Sequence, residues 1–294
     1  MKHSLLILYL LHFLGVAFAT PSTRRVPPVG WHPTGNPDGK SRRAGAGREL
    51  AFETPDGGTA RAWEWKAPRK TAYTILLFHS SWGLTSDVRQ EAEKLSNALG
   101  INVLAVDMYN GKLATSSEEA VKLAQSVDED RASAIIEGAF SYLGEQQKIF
   151  SLGWSFGGGW SLQSAIFGGS QMAGCIIYYG ALEQSQKKLQ LLHCDVIGFF
   201  GNQDKWPGPA QVADFKMNME KAGKKFLPNR YPGGHGFANP GIRMPTGCRP
   251  PIPASKPSIS SRAGCVKPCR LQIRQPITCL RQHHKSHRIA DGPV

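Results

Sequence analysis

The chain has 294 residues, with 35 Lys and Arg against 22 Asp and Glu, and a formal charge of +13. That balance would suit a polyanion partner if it lay on a folded surface. It is held at the ends instead: 7 Lys/Arg and 1 Asp in residues 1–48, and 10 Lys/Arg and 1 Asp in residues 241–294, so the stretch between them carries −2. Two basic ends around a slightly acidic middle argue against a nucleic-acid-binding fold, and no nucleic-acid partner is expected.

Lys2 and His3 precede an apolar run from Leu5 to Phe18, and Ala17, Phe18 and Ala19 supply a small-x-small cleavage pattern. Residues 1–19 read as a signal peptide. The run is short for a membrane span and contains His12, so no stable membrane insertion is expected after cleavage, and the protein is expected to be secreted or periplasmic. Residues 20–48 are rich in Pro, Gly and Arg without an apolar period and read as a disordered linker. The folded domain is expected over residues 49–240.

That domain opens with two alternating stretches, Leu50–Glu53 and Ala60–Lys66, around Asp56, Gly57 and Gly58, which is a hairpin signal. Short apolar runs then alternate with helical periods. Strands are predicted at Thr74–Phe78, Val103–Val106, Ile149–Leu152, Cys175–Tyr179, Val196–Phe200 and Phe226–Tyr231. Helices are predicted at Asp87–Leu99, Ser117–Leu143 with a break, Gly158–Phe167 and Pro209–Ala222. This order gives an α/β fold, a mostly parallel sheet covered by helices on both faces behind an N-terminal antiparallel hairpin. Cys175 and Cys194 fall in apolar runs and read as buried free thiols.

After Pro240 the character changes. Residues 241–294 hold 8 prolines, scattered arginines and four of the six cysteines, with no sustained period, and read as a basic, disordered tail. The change falls within a few residues of an intact motif, so we read the tail as aberrant, from a shifted reading frame or a misassembled gene end. Cys265, Cys269, Cys279 and His283 are spaced loosely like a zinc knuckle, but the proline density and the lack of a supporting core argue against a metal site.

The chemistry starts at Gly153, Trp154, Ser155, Phe156 and Gly157, a G-x-S-x-G between a predicted strand and a predicted helix. In that setting it is a nucleophile elbow. A sharp turn exposes the serine, close passage of the chain on either side demands glycine, and the following helix directs its N-terminus at developing negative charge. Phe156 then supplies one oxyanion N–H. A serine needs a base. His3 and His12 leave with the leader, His32 lies in the linker, and His283, His284 and His287 lie in the tail. His79, His193 and His235 remain. His235 follows the last apolar run in a glycine-flanked loop and is the expected base. Asp204, just past the strand Val196–Phe200, is the expected third member that orients the imidazole. Serine, aspartate and histidine follow one another in the order this fold requires, each beyond the carboxyl end of a parallel strand. The loop after Thr74–Phe78 is expected to offer the Ser81 N–H as second oxyanion donor, with His79 packed beneath. Trp82, Tyr109, Trp154 and Phe237 flank these motifs and are the candidate lining of an apolar substrate cleft. No metal or cofactor is needed.

Taken together, Leu77–Leu84, Val103–Lys112, Gly153–Gly159, Gly201–Asp204 and His235–Asn239 make the chain resemble the dienelactone hydrolase family, a branch of the α/β-hydrolases, over about Glu49 to Pro240. The resemblance implies hydrolysis of a small-molecule ester or lactone. Three positions depart from the family's pattern. Ser155 stands where cysteine is typical. An acidic residue that assists the thiol falls at Ser80. Arginines that hold a substrate carboxylate fall near Gly111 and Lys112, and at Asn239. The resemblance also implies a final helix over the sheet, which residues 241–294 do not offer. The expected activity is that of a serine carboxylesterase or lactonase acting through an acyl-enzyme. The alternative is a non-catalytic binding module on the same scaffold. Oligomeric state is not readable from the sequence.

Overall fold

In the computed structural model, which describes residues 45–241, the first hairpin is set by its turn. Gly57 takes φ 78°, and Thr54 N–H donates to Gly58 O while Gly57 N–H donates to Thr54 O, each at 3.0 Å. β1 (Arg48–Glu53) therefore folds back antiparallel on β2 (Thr59–Trp65). Pairing runs two residues past the alternating apolar pattern, to Arg48 opposite Glu64, where the Arg48 guanidinium donates to the buried Glu64 carboxylate at 2.7 Å.

The remaining strands are β3 (Tyr73–Phe78), β4 (Asn102–Asp107), β5 (Lys148–Trp154), β6 (Met172–Tyr178), β7 (Val196–Gly201) and β8 (Phe226–Tyr231). All eight form one open sheet in the order β1-β2-β4-β3-β5-β6-β7-β8. β2 meets β4 antiparallel, and every pair from β4 onward is parallel. Ile75–Phe78, Val103–Asp107 and Val196–Gly201 are buried at every position, which a parallel strand with both faces covered requires. β1 and β8 are the edges, and the Pro228 that interrupts β8 is tolerated there because an edge strand leaves one side of its backbone unpaired.

Helices occupy the crossovers. α1 (Ser86–Leu99) begins where the Thr85 hydroxyl accepts from Val88 N–H and ends at Gly100 with φ 65°. The predicted stretch from Ser117 to Leu143 is two helices, α2 (Ser117–Gln125) and α3 (Glu129–Leu143). The break has a local cause: the Asp128 carboxylate accepts from Arg131 N–H at 2.9 Å and so starts a second helix with its own cap. α4 (Phe156–Phe167) starts two residues before the predicted Gly158, because Ser155 itself occupies the cap position. α5 (Gln186–Leu189) is a single turn too short to show a period in the sequence. α6 (Pro209–Lys221) opens with proline at its first position.

α4 packs against β5 and β6 through small, fully buried side chains. Ser161 Oγ donates to Ile176 O at 3.0 Å, and Ser151 Oγ donates to Ser161 O at 2.9 Å. These bonds pair hydroxyls that would otherwise be costly in the core. Cys175 is a buried free thiol and Cys194 a half-buried one; burial pushes the Cys175 thiol up to about 11. No helix among the described residues is long and apolar enough to cross a membrane. The predicted leader, most of the linker, and the tail with its four cysteines and His283 lie outside the described residues.

Replacing the Asp128 cap tests the origin of the break. Asp128→Ala is expected to lower stability by about 1 kcal/mol, read as a fall in the urea midpoint with an unchanged m-value. An unchanged midpoint would mean that the cap does not restart the helix.

Candidate active site

β5 ends at Trp154 and α4 begins at Phe156, leaving Ser155 alone to make the turn. It does so at φ 55°, ψ −115°, a region that costs a non-glycine residue on the order of 1–3 kcal/mol. The strained turn is fixed on both sides: Ser155 N–H donates to Tyr178 O at 2.9 Å, and Ser155 O accepts from Gly158 N–H at 2.9 Å. The neighbouring chain passes so close that a Cβ on Gly153 would lie 2.0 Å from Gly157 O, and one on Gly157 would lie 2.3 Å from His79 O. Only hydrogen fits at either position.

This turn brings Ser155 Oγ to 2.8 Å from His235 Nε2, across 80 residues of sequence. His235 comes from the glycine-rich loop after β8, and Asp204 from the loop after β7. His235 Nδ1 is 2.9 Å from Asp204 Oδ2 and 3.1 Å from Trp206 O. Two acceptors at Nδ1 place the proton there, so Nε2 presents its lone pair to the serine hydroxyl. Asp204 is buried and is held in turn, its Oδ1 accepting from Trp206 N–H at 2.9 Å. The three residues named from sequence therefore meet in one hydrogen-bonded chain. The Trp206 carbonyl that shares the imidazole proton was not foreseen, since main-chain acceptors leave no mark on residue type.

A second histidine supports the opposite wall. His79 is fully buried, with Nδ1 2.7 Å from Ser80 O and Nε2 receiving Met108 N–H at 3.1 Å. Only the neutral ring protonated on Nδ1 satisfies both contacts. Burial lowers its pKa, against the opposing pull of the Ser80 carbonyl and of Asp107, whose carboxylate is 3.9 Å away. His79 thereby joins the loop after β3 to the loop after β4, and a bond from Ala114 N–H to Trp82 O at 3.1 Å joins them again. The bond from Gly83 N–H to Ser80 O, 3.1 Å, closes a turn with Ser81 and Trp82 at its centre. That closing bond does not use the Ser81 N–H, and Phe156, as first residue of α4, has an N–H that finds no acceptor inside its helix.

Of the four aromatic residues expected to line a cleft, Trp82 is half-buried and the other three are buried. Trp154 stacks on Tyr178 at 5.8 Å, Tyr109 meets the His79 ring at 4.6 Å and the Phe156 ring at 5.3 Å, and Phe237 sits between Tyr179 and Tyr231 at 5.2 and 5.4 Å. Ser80, where the family resemblance puts an acid, is buried; Gly111 and Lys112 are exposed; Asn239 lies on the histidine loop, its N–H donating to Gly236 O at 3.0 Å. Among the described residues no three His, Cys, Asp or Glu side chains gather as a metal ion would need.

An open, mostly parallel sheet that presents a turn-borne serine, an aspartate and a histidine beyond its strand ends is the architecture of an α/β-hydrolase. The chain belongs to the dienelactone hydrolase family, whose model matches residues 61–250, and it is a hydrolase. Among solved structures it is similar to a putative dienelactone hydrolase from Klebsiella pneumoniae subsp. pneumoniae, with TM-score 0.55 and 16% identity over 65% of this chain and 88% of that one. A dienelactone hydrolase-like promiscuous phosphotriesterase from metagenomic libraries gives 0.56 and 18% over 67% and 86%. Pyrococcus horikoshii acylaminoacyl peptidase gives 0.52 and 15% over 67% of this chain and 38% of that one. At these identities the likeness is one of fold. No curated protein matches the sequence.

Two outcomes follow from this packing. Gly157→Ala is expected to cost about 1–3 kcal/mol or more, because its methyl meets main-chain oxygens that cannot move aside; wild-type thermal stability would show that the turn relaxes. His79 has a folded pKa below its unfolded value of about 6.5. Its contribution to stability is therefore complete above that value and is lost as pH falls below it through the folded pKa. His79→Gln is expected to flatten the decline in unfolding free energy as pH falls below about 6.5, and an unchanged slope would count against the neutral ring.

Proposed function

We propose that the protein is a serine hydrolase that cleaves carboxylic esters or lactones through an acyl-enzyme, with Ser155 as nucleophile, His235 as base and Asp204 orienting the base. The observation that carries this reading is the 2.8 Å contact between Ser155 Oγ and His235 Nε2, backed by Asp204 at 2.9 Å from Nδ1. Ser155 Oγ attacks the acyl carbon as its proton passes to Nε2. Asp204 and the Trp206 carbonyl stabilise the imidazolium that results. The carbonyl oxygen, now anionic, takes the Phe156 and Ser81 N–H groups, each such donor being worth roughly 3–4 kcal/mol in the transition state. Collapse breaks the bond to the alkoxide, which leaves with the His235 proton, and water repeats the sequence to free Ser155 and the acid.

A hydroxyl has no anionic resting state at neutral pH and depends on an adjacent base, which His235 supplies. With Ser80 in place of an acid and no arginine at Gly111, Lys112 or Asn239, we favour uncharged esters over the carboxylated dienelactone, and half-buried Trp82 as an apolar contact for them. The leader read in residues 1–19 supports action outside the cytoplasm.

The test is hydrolysis of p-nitrophenyl acetate by the wild type, Ser155→Ala and His235→Gln. Either substitution is expected to lower kcat by at least about 10³-fold with the fold intact by circular dichroism. Equal rates for wild type and Ser155→Ala would remove the enzyme reading and favour the binding module.

A further inference from the structure

Three non-glycine residues of the described chain have positive φ: Asn110 at 51°, Ser155 at 55° and Tyr179 at 39°. Asparagine tolerates that region, and Ser155 is the elbow itself. A bulky aromatic residue there is an outlier, retained only where the surrounding structure imposes it. Tyr179 is the first residue after β6. Its N–H donates to Phe199 O at 2.8 Å, which carries the pairing with β7 one step beyond the strand end and pins the unusual backbone.

The fully buried ring of Tyr179 stands edge-on to His235, centroids 5.0 Å apart at 63°, and edge-on to Phe237 at 5.2 Å and 61°. Its neighbour Tyr178 accepts the Ser155 N–H, so two consecutive residues touch both halves of the serine–histidine contact. The hydrogen bonds of Nδ1 with Asp204 and Trp206 and of Nε2 with Ser155 hold the imidazole at its two nitrogens. The Tyr179 ring adds a contact that opposes tilting about the line through those nitrogens. The Tyr179 hydroxyl faces the Ala238 main chain without a hydrogen bond of normal geometry, which leaves the aromatic ring as the working part.

We propose that Tyr179 is a positioning residue whose ring holds the His235 imidazole within hydrogen-bonding reach of Ser155, its hydroxyl taking no part. This rests on the assignment of Ser155 and His235 as nucleophile and base. The variants are Tyr179→Phe and Tyr179→Leu, with Tyr179→Met as a second truncation in case the leucine protein does not fold. Two readouts are taken on folded protein: the low-field proton resonance of His235 Nδ1–H, identified by its loss in His235→Gln, and the kinetics of p-nitrophenyl acetate hydrolysis. Tyr179→Phe is expected to keep the resonance and kcat, whereas the truncations broaden the resonance and lower kcat by about 10- to 100-fold with KM within about threefold, the penalty of a displaced base. A sharp wild-type resonance with wild-type kcat in either truncation overturns the proposal. So does a phenylalanine variant as impaired as the leucine one, which would move the role to the hydroxyl. The resonance reports the ring's position whether or not the ester is turned over. Failure of the hydrolase reading, seen as unchanged turnover in Ser155→Ala, is thus distinct from failure of this one.

Discussion

Everything at the rim of the sheet depends on how closely two stretches of main chain approach each other beneath Ser155. Gly153 and Gly157 let β5 and α4 meet with no side chain between them, and the approach is tight enough to force a positive φ on the serine. That strain is local, whereas the bonds that hold it are not: the Ser155 N–H is tied to the end of β6, and the wall against Gly157 is the main chain at Phe78 and His79. Ser155 is therefore fixed by three strands at once. Its position is a property of the sheet rather than of the loop that carries it.

The histidine is less well placed by its own segment, which is a glycine-rich loop beyond an edge strand. What steadies it is a row of rings. Trp154, Tyr178 and Phe199 stack across β5, β6 and β7 at 5.8 and 4.6 Å, following the strand register. The row continues through Tyr231 and Phe237 to Tyr179 and the imidazole. Aromatic pairs in such geometries add about 0.5–1.5 kcal/mol each beyond their buried area. The row starts one residue before Ser155 and ends on His235, so the apolar core physically connects the two.

Much of this was legible in the sequence. The alternation of apolar runs and helical periods is enough for the mostly parallel sheet, because strands buried on both faces cannot hide their composition. Ser155, Asp204 and His235 stand out because residue type, chain order and position after a strand agree independently. The parts that were not legible share a cause: they depend on direction rather than on composition. Trp154, Tyr109 and Phe237 flank the motifs, but adjacency in sequence does not say which face a ring takes, and they are buried. Tyr179 acquires its place from a backbone twist with no residue signature. The break before α3 is carried by one Asp128 carboxylate among several acidic residues, and α5 is too short for a period.

The shared proton on His235 Nδ1 has a bearing on the order of events. In the acyl-enzyme route we propose, the imidazole would carry two protons between attack and expulsion of the alcohol, and a ring that spun about its Cβ–Cγ bond would turn the proton taken from serine away from the leaving group. With a carboxylate and a peptide carbonyl both engaged on the Nδ1 side, such a spin would break two bonds before making any. On that route the proton on the other nitrogen would stay aimed at the leaving group, held there by an arrangement that does nothing in the resting protein except hold still.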